Sequence, residues 1–577
     1  MTSKTIVKRV IKYIGKYRFS FILSLVLTVT ATLCSLYIPV LAGEAIDMIA
    51  GKGNVDFYRL TPILIVIGVA LIVSGVSQYF VNTLNNRISN STVRDMRNDA
   101  FLKIQTVPVS YIDNQETGDI VSRIIADAEQ FADGLILGFQ NLFSGVVTIL
   151  GTLVFMLTIN LWIGLIVVVL TPLSLFVSRF ISRKTYKYFK KQSEQRGRET
   201  AFIDEMISNI STVKAYHREN KNQNEFDEIN NQLGTDSLKA TFFSSITNPG
   251  TRFINSLVYA AVGFSGAIFA LNGIITVGNL SAFLAYANQY TKPFNDITGV
   301  ITELQNAIAC AGRMLEIIDA DSENEAEKEL PNNIEGNFDV SDVAFSYDKN
   351  RELLKDLSFK LKKGQRLAIV GPTGCGKTTL INLFMRFYDI DKGSILLDGI
   401  DINSVTRKSL RKNMGMVLQD TWLRSGTIRD NIAFGNENVT DEEIIAAAKQ
   451  SHAHSFIKKL KMGYDTPVGE DGNNLSTGQK QLICITRVML SLPPILILDE
   501  ATSSIDLVTE QRITRSFMKL MKDRTSFVVA HRLSTIVGSD LILVMKDGRV
   551  IESGNHNQLM EANGFYKQLY QSQFNAN

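Results

Sequence analysis

The sequence predicts a multidomain protein in which a six-helix all-α transmembrane domain is followed by an α/β domain. Apolar runs crowd residues 19–300, whereas residues 330–577 have the mixed composition of a soluble α/β domain. In this second part, an apolar strand at 367–370 leads directly into a glycine-rich loop, and another apolar strand ends in Asp499 and Glu500. A chain of 577 residues has room for about three to four average domains, so several folding units are expected.

Six stretches of the first part approach the roughly 20 apolar residues that are needed to cross about 30 Å of hydrocarbon. Each stretch carries few charges, and only a short turn around Asn160 separates the third from the fourth, which predicts a tight hairpin. The predicted spans are 19–41, 60–84, 137–159, 161–181, 253–272 and 277–298.

Lysine and arginine cluster in the N-terminal segment and in the two long connections, 85–136 and 182–252. Basic residues mark the cytoplasmic side of a membrane, so both termini are expected in the cytoplasm. The long connections contain few glycines or prolines and many helix formers, which predicts helical extensions into the cytosol. Residues 1–18 place apolar side chains at helical spacing between lysines, which fits an interfacial helix; a charged flank that only sets topology is the alternative.

The overall charge and the cysteines indicate which partners and which cellular compartment to expect. A net charge of only +3 gives no reason to expect a nucleic-acid partner. The four cysteines, Cys34, Cys310, Cys375 and Cys484, are far apart and form neither a metal-binding spacing nor a disulfide framework. This is typical of a soluble part that works in a reducing cytosol.

The glycine-rich loop indicates nucleotide chemistry. Residues 371–378 read Gly-Pro-Thr-Gly-Cys-Gly-Lys-Thr, a pattern whose backbone N–H groups surround phosphates. The loop lies between a predicted strand and a predicted helix, which is the context that this pattern requires. Lys377 is expected to reach the β- and γ-phosphate oxygens, and the Thr378 hydroxyl is expected to bind Mg²⁺. With the carboxylates Asp499 and Glu500, the sequence predicts hydrolysis of a nucleoside triphosphate.

Further motifs follow in a fixed order. They are Gln419 within Val-Leu-Gln-Asp, residues 466–470 (Thr-Pro-Val-Gly-Glu), residues 475–479 (Leu-Ser-Thr-Gly-Gln), residues 503–506 (Ser-Ser-Ile-Asp) and His531 within Val-Ala-His-Arg. With these motifs, the chain resembles one half of an ABC transporter of the exporter type, over nearly its whole length. The resemblance implies the type I/IV exporter fold, with an N-terminal interfacial helix (1–18), a transmembrane domain (19–315), a linker (316–335) and an α/β P-loop NTPase domain that binds the nucleotide (336–577).

The resemblance also implies the roles of individual residues. Tyr347 would stack on adenine, although an ordinary strand-edge tyrosine is the alternative. Glu500 would act as general base, with Gln419, His531 and Lys377 completing the catalytic group, and Mg²⁺ would be held by Thr378, Gln419 and Asp499. The expected ATP-binding residues are Tyr347, Gly371, Pro372, Thr373, Gly374, Cys375, Gly376, Lys377, Thr378, Thr379, Gln419, Ser476, Gly478 and Gln479.

The partner implied by the resemblance is a second half-transporter. Ser476 and Gly478 of one chain would close on the nucleotide held by the other chain, so that ATP joins the two domains. Thr477 replaces a glycine of the family signature, and a β-branched residue there is expected to crowd a turn. An altered signature beside an intact Glu500 favours a heterodimer with one degenerate site; neutral drift in a homodimer is the alternative.

The expected function is ATP-driven export of amphipathic small molecules of the multidrug type across the plasma membrane. A lipid flippase or a peptide exporter on the same scaffold remains open, as does a nucleotide-gated channel or regulator. Polar residues near the predicted spans either line a path or reach toward the interface. They are Asn141, Arg252, Asn255, Gln289, Lys292 and Asp296. Cys375 within the phosphate loop is a further expectation, because a thiol reagent there should block ATP binding.

Overall fold

The computed structural model describes residues 2–49, 55–331, 333–348, 351–418, 421–436, 438–469, 472–499, 507–529 and 536–574. At a few helical positions, among them 172–175, 177–180, 182–184 and 294–299, only the backbone is described. The chain divides into two compact units. The first contains Met1–Gln105 and Glu116–Ala320, and the second contains Thr106–Gln115 and Asp321–Asn577.

The chain up to residue 318 is helical throughout its regular structure. Its helices are α1 (Ser3–Ile14), α2 (Arg18–Ile49), α3 (Phe57–Ile104), α4 (Val109–Asp113), α5 (Thr117–Ile124), α6 (Ala126–Leu137), α7 (Ser144–Ile159), α8 (Leu161–Ser208), α9 (Ile210–Ala215), α10 (Glu219–Leu271) and α11 (Val277–Ile318). A π-helical turn, Gly138–Phe143, joins α6 to α7. The described part of the first unit therefore contains six long helical segments: α2, α3, the joined α6 and α7, α8, α10 and α11.

Four helical segments are long and apolar enough to cross a membrane within the described residues: Ser3–Ile49, Phe57–Ile104, Thr117–Ile159 and Arg252–Leu271. These segments contain the first, second, third and fifth predicted spans. The fifth predicted span, 253–272, extends one residue beyond its helical segment. The fourth predicted span begins as the apolar helix Leu161–Thr171 and then continues into residues without described side chains. The sixth lies in α11 and also reaches such residues, so both stay predictions as membrane spans.

The predicted cytosolic extensions are helical. With 48 residues, α8 is about 72 Å long, and α10 is longer still with 53 residues. A short break interrupts the helices of each long connection: α8 ends at Ser208 and α9 begins at Ile210, while α4 ends at Asp113 and α5 begins at Thr117. Both extended helices greatly exceed the thickness of a bilayer.

The first helix packs on its own unit. Ile6 and Val10 are buried in a cluster that includes Met96 of α3 and Met314 of α11. The predicted apolar face therefore exists, but it is partly covered by α3 and α11. An interfacial position of α1 stays a prediction, with Ile11 as an apolar side chain that remains exposed.

The second unit contains the twelve strands of the described chain. They are β1 (Phe338–Phe345), β2 (Leu354–Leu361), β3 (Arg366–Val370), β4 (Lys392–Leu397), β5 (Ile400–Asp401), β6 (Met414–Val417), β7 (Gly426–Thr427), β8 (Pro467–Val468), β9 (Ile495–Asp499), β10 (Thr525–Val529), β11 (Leu541–Lys546) and β12 (Arg549–Gly554). The main sheet has the order β12-β11-β3-β10-β9-β6, beside a four-stranded sheet β2-β1-β4-β5 and the pair β7-β8.

Helices cover this unit between the strands. They are α12 (Lys377–Phe384), α13 (Arg407–Lys412), α14 (Ile428–Ala433), α15 (Asp441–Gln450), α16 (His454–Ile457), α17 (Thr477–Ser491), α18 (Leu507–Met521), α19 (His556–Glu561) and α20 (Phe565–Phe574).

Both faces of the main sheet are buried. In β3, Ala368 and Val370 belong to one hydrophobic cluster, while Leu367 and Ile369 belong to another. Alternate residues of a strand point to opposite faces, so the two clusters lie on the two sides of the sheet. A parallel sheet that is covered on both faces reads as a continuous apolar run, which is why 367–370 could be recognised as a strand.

Candidate nucleotide site

Four of the sequence motifs lie at strand ends that meet at one edge of the main sheet. Strands β3, β10, β9 and β6 are neighbours and run parallel. Their carboxyl ends lie at the same edge, which is where open α/β sheets bind ligands. These strands end at Val370, Val529, Asp499 and Val417, respectively.

The predicted site residues follow these strand ends in the sequence. Gly371 comes directly after β3, and Glu500 comes directly after β9. Gln419 follows β6 by two residues, and His531 follows β10 by two residues. Glu500, Gln419 and His531 lie outside the described residues, so their roles stay predictions that rest on these strand ends.

The backbone path of the phosphate loop favours glycine at two positions, Gly371 and Gly376. A Cβ atom on Gly376, where φ is +103°, would lie 2.5 Å from the Leu354 Cδ2 atom. A Cβ atom on Gly371 would lie 2.2 Å from the Met545 carbonyl oxygen. The neighbour of Gly371 is a backbone atom that cannot give way, whereas at Gly376 the positive φ is what favours glycine, because the Leu354 side chain could move.

Lys377 lies over the loop that it ends. Its ammonium group donates hydrogen bonds to the carbonyl oxygens of Gly371, at 2.8 Å, and of Pro372, at 3.1 Å. Because Lys377 also begins α12, the unpaired N–H groups of a helix N-terminus lie beside its cation. This combination of positive charge and backbone donors suits a phosphate group.

The side chains of the predicted loop residues divide into two groups. Pro372, Thr373 and Thr378 are exposed, so the Thr378 hydroxyl is accessible to a metal ion. Cys375 and Thr379 are buried, with 3% and 6% of their surface exposed. A ligand on this loop would therefore meet these two residues mainly through their backbone. Burial also raises the pKa of the Cys375 thiol.

Asp499 ends a central strand and is almost fully buried, with 5% of its surface exposed. It lies beside Val529 in the register of β9 and β10. A carboxylate at the end of a strand can provide an oxygen ligand to a metal ion at the edge of the sheet. Its place at the end of β9 fits the predicted role in holding Mg²⁺.

Tyr347 packs against two other aromatic rings. Its ring meets those of Phe345 and Tyr388 edge to face, each at 4.9 Å between centroids. Its hydroxyl accepts a hydrogen bond from the Asn382 side-chain amide, at 3.3 Å, and Asn382 lies in α12 behind the phosphate loop. Half of Tyr347 remains exposed, as a stacking surface for a base requires.

The signature residues begin α17. Ser476 is the N-cap, and its side chain and that of Gln479 form a reciprocal capping box. Ser476 and Thr477 are exposed, whereas Gly478 is buried. Thr477 is the first residue of a regular helix and has no left-handed backbone, so its own backbone is not strained, and crowding of an approaching phosphate stays a prediction. The exposed side chain of Thr477 can therefore obstruct only a group that approaches α17 from outside this chain.

Two contacts beside the site were missed from the sequence. The Tyr388 hydroxyl donates a hydrogen bond to the Asp113 carboxylate of α4. Arg407 is buried and binds both Asp389 oxygens, at 3.0 and 2.9 Å, as well as the carbonyl oxygen of Asn324. The available signal was the run Arg386-Phe-Tyr-Asp389 after α12, which combines aromatic and charged residues.

Comparison with known proteins places this site in a family. Residues 21–294 match the family model for the ABC transporter transmembrane region, and residues 354–503 match that for the ABC transporter. The chain belongs to the ABC transporter family. It is a membrane protein with a helical transmembrane domain fused to an ATP-binding domain, and it is an ATP-hydrolysing exporter by its relatives.

Two relatives and one solved structure cover most of the ABC exporter chain. A fatty acid ABC transporter ATP-binding/permease protein of Mycobacterium bovis is 41% identical over 487 residues, which is 84% of this chain and 77% of the relative. A candidate multidrug export ATP-binding/permease protein of Bacillus subtilis is 35% identical over 98% of this chain and 99% of its own. A bacterial Atm1-family ABC exporter with ATP bound has a TM-score of 0.80 at 28% identity, covering 96% of this chain and 98% of that one.

Proposed function

We propose that the chain exports amphipathic small molecules, with ATP hydrolysis at the carboxyl edge of the main sheet driving transport. The observation that carries this proposal is the order of the parallel strands β3, β10, β9 and β6, which end at four motifs. Those motifs supply a phosphate loop, two carboxylates, a glutamine and a histidine. Few arrangements other than a nucleotide hydrolase need all of them at one edge.

Each group has a place in the proposed reaction. The loop N–H groups and Lys377 hold and neutralise the phosphates, while Thr378, Gln419 and Asp499 provide oxygen ligands for Mg²⁺. Glu500 orients the attacking water and accepts its proton, and His531 contacts the γ-phosphate. The donor set fits a magnesium nucleotide, because it combines one cation, exposed backbone donors, a hydroxyl and a buried carboxylate.

Transport requires a second subunit in this proposal. Exporters of this family act as dimers in the membrane, and the exposed Ser476 is available to the nucleotide of a partner. Thr477 favours a heterodimer, in which the partner would carry an ordinary signature and a defective catalytic carboxylate. Both termini and the ATP-binding unit would face the cytoplasm at the plasma membrane, as the basic connections indicate.

A second candidate, transport of lipid-like molecules, has one specific observation in its favour. The Mycobacterium bovis relative is named a fatty acid transporter. A fatty acid is itself an amphipathic small molecule, so the two candidates overlap. Peptide export and a nucleotide-gated channel have no comparable support.

Accumulation against a gradient tests the proposed function. Inside-out vesicles that contain the full chain, with and without a co-expressed second half-transporter, are given MgATP and fluorescent amphiphiles. A pump concentrates an amphiphile inside above the outside level and hydrolyses more ATP in its presence. A gated channel only equalises the two concentrations, and that result would overturn the proposal.

A further inference from the structure

A cavity in the first unit combines a cation with amide and hydroxyl groups. It measures about 600 Å³ and lies between α2, α3, α11 and the joined α6 and α7. This is within the range of about 300 to 1,000 Å³ that is typical of sites for small molecules. The lining contains the amides of Gln78, Asn141 and Gln289, five hydroxyl side chains and several aliphatic ones.

Lys292 gives this cavity its charge. It is the one charged side chain in the described lining, where no carboxylate occurs. The residue is the sixteenth of α11 and therefore lies about 22 Å along this helix from its first residue. A cation within a membrane domain is costly and generally marks a functional path. The lining is thus positive and accessible to a ligand.

Two oxygen atoms of Gln289 also lack a hydrogen-bond donor among the described residues. Its Oε1 atom is buried and has no hydrogen-bond partner in the part of the chain that the structure describes. Pro293 lies four residues further along α11 and has no N–H, so the Gln289 carbonyl oxygen loses its helical donor. Both atoms are hydrogen-bond acceptors, so only a donor, such as a hydroxyl group or a water molecule that enters with an occupant, could satisfy them.

The opposite wall is irregular where it meets the cavity. Asn141 belongs to the π-helical turn Gly138–Phe143, and it lines the cavity. Turns of this kind are rare and occur frequently at functional sites. On α3, a Cβ atom built on Gly75 would meet nothing within 4 Å, so this part of the cavity has free space. Leu36 and Leu71 provide apolar surface nearby.

We propose that this cavity binds an amphipathic anion, whose acidic head group pairs with Lys292 and whose tail lies on the aliphatic lining. The inference rests on the proposed export function and specifies its substrate. The sign of the head group follows from magnitudes, because a hydrogen bond to an ionised partner is roughly twice as strong as one between neutral groups. Lys292 therefore outweighs the neutral amides, which orient the head group without selecting its charge.

One neighbouring residue determines how the test is designed. Asp296 lies one turn beyond Lys292 in α11, and its side chain is outside the described residues. If Asp296 neutralised Lys292, removing the lysine would disturb the domain and weaken binding of every ligand. Selective loss of one class of ligand is therefore the informative result.

Three probes with the same tail separate charge from size: hexadecanoate, hexadecanol and hexadecyltrimethylammonium. Their binding to the full-length protein in nanodiscs, with any second half-transporter present, is measured at concentrations below those at which they form micelles. For wild type, hexadecanoate should bind most tightly. Lys292→Gln should raise its Kd about tenfold and leave that of hexadecanol within about twofold, while Lys292→Arg retains binding of the anion.

Gly75→Leu is the matched control for the tail. Leucine favours a helix more than glycine does, so the variant should fold, but it fills free space in the cavity. This variant should raise the Kd of all three probes by a similar factor. Equal binding of the three probes by wild type would overturn the inference, as would equal loss of all three in Lys292→Gln.

ATP-driven accumulation in vesicles separates this inference from the proposed function. Accumulation of hexadecyltrimethylammonium but not of hexadecanoate would sustain the export function and overturn the acidic head group. If none of the probes accumulates although the protein hydrolyses ATP, both fail.

Discussion

The Tyr388 hydroxyl donates a hydrogen bond to the carboxylate of Asp113 in α4. The same Tyr388 ring meets the ring of Tyr347, the predicted adenine platform, edge to face at 4.9 Å. Burial and the contact with Asp113 raise the pKa of Tyr388, so its hydroxyl keeps its proton at physiological pH. The helix α4 belongs to the second unit, although it lies in the sequence between α3 and α5 of the first, so this hydrogen bond lies within the second unit and holds a segment that the sequence inserts between those helices.

Tyr388→Phe should weaken coupling while ATP hydrolysis continues. The phenylalanine ring keeps the contact with Tyr347 but cannot donate to Asp113. Amphiphile transported per ATP hydrolysed should fall roughly 2- to 30-fold, which corresponds to the energies usual for coupling residues. Both quantities are measured in the same vesicles.

Asp113→Ala, which removes the acceptor, provides the matched partner variant in a double-mutant cycle. If the hydrogen bond carries the effect, each single variant should lose about as much coupling as the double variant. Additive losses would show that the two residues act separately, and would contradict the assignment.

Arg407 should be important for the stability of the second unit. It is 4% exposed, binds both oxygens of Asp389 and holds the carbonyl oxygen of Asn324 in the linker. Arg407→Leu removes the donor to the Asn324 carbonyl oxygen and leaves Asp389 with Arg386 as its remaining partner, so the free energy of unfolding should fall by about 1 to 3 kcal/mol. Urea denaturation measures this change. Lys408→Leu is the neighbouring exposed control, and an equal effect of both variants would contradict a specific anchor.

Cys375 should react slowly with thiol reagents and only at high pH. It is 3% exposed, and burial raises the pKa of its thiol. Since the thiolate is the reactive form, its labelling rate at pH 8 should be roughly tenfold or more below that of the unfolded chain. The rate should keep rising above about pH 8.5, where an ordinary cysteine is already half ionised. MgATP should slow labelling further.

Cys375→Ala tests whether this thiol accounts for inhibition by the reagent. Inhibition should disappear in the variant and should follow labelling of Cys375 in the wild type. If a reagent still inhibits Cys375→Ala equally, another cysteine is responsible.

Thr477→Gly should test the altered signature without disturbing the fold. Thr477 is exposed at the first position of α17, so glycine there should cost at most about 1 kcal/mol of stability. If the side chain obstructs a partner's nucleotide, ATP hydrolysis by the dimer should rise several-fold. Thr477→Ser, which removes only the methyl group, should give an intermediate rate. Unchanged rates in both variants would remove the main argument for a heterodimer.

Sequence patterns predicted much of the fold because they report local physics. Continuous apolar runs identified the buried strands β3 and β9, and the small number of glycines and prolines in the long connections predicted the long helices α8 and α10. The phosphate loop was recognisable because its backbone path favours glycine at Gly371 and Gly376. All of these signals lie within a few neighbouring residues.

Contacts between distant segments could not be predicted in this way. Asp113 and Tyr388 are 275 residues apart, and Arg407 meets Asn324 across 83 residues. The burial of Cys375 and the regular helical backbone of Thr477 likewise depend on packing and capping. The cavity around Lys292 is formed by four separate helical segments, so the sequence could offer its polar residues only individually.

The most direct test of the account measures ATP hydrolysis and amphiphile accumulation together in vesicles that contain Glu500→Gln. The account predicts that MgATP still binds, whereas hydrolysis falls about 100-fold or more because the general base is lost, and accumulation stops with it. Lys377→Ala should lose nucleotide binding as well. Continued accumulation by Glu500→Gln without hydrolysis would contradict the claim that ATP hydrolysis at this sheet edge drives transport.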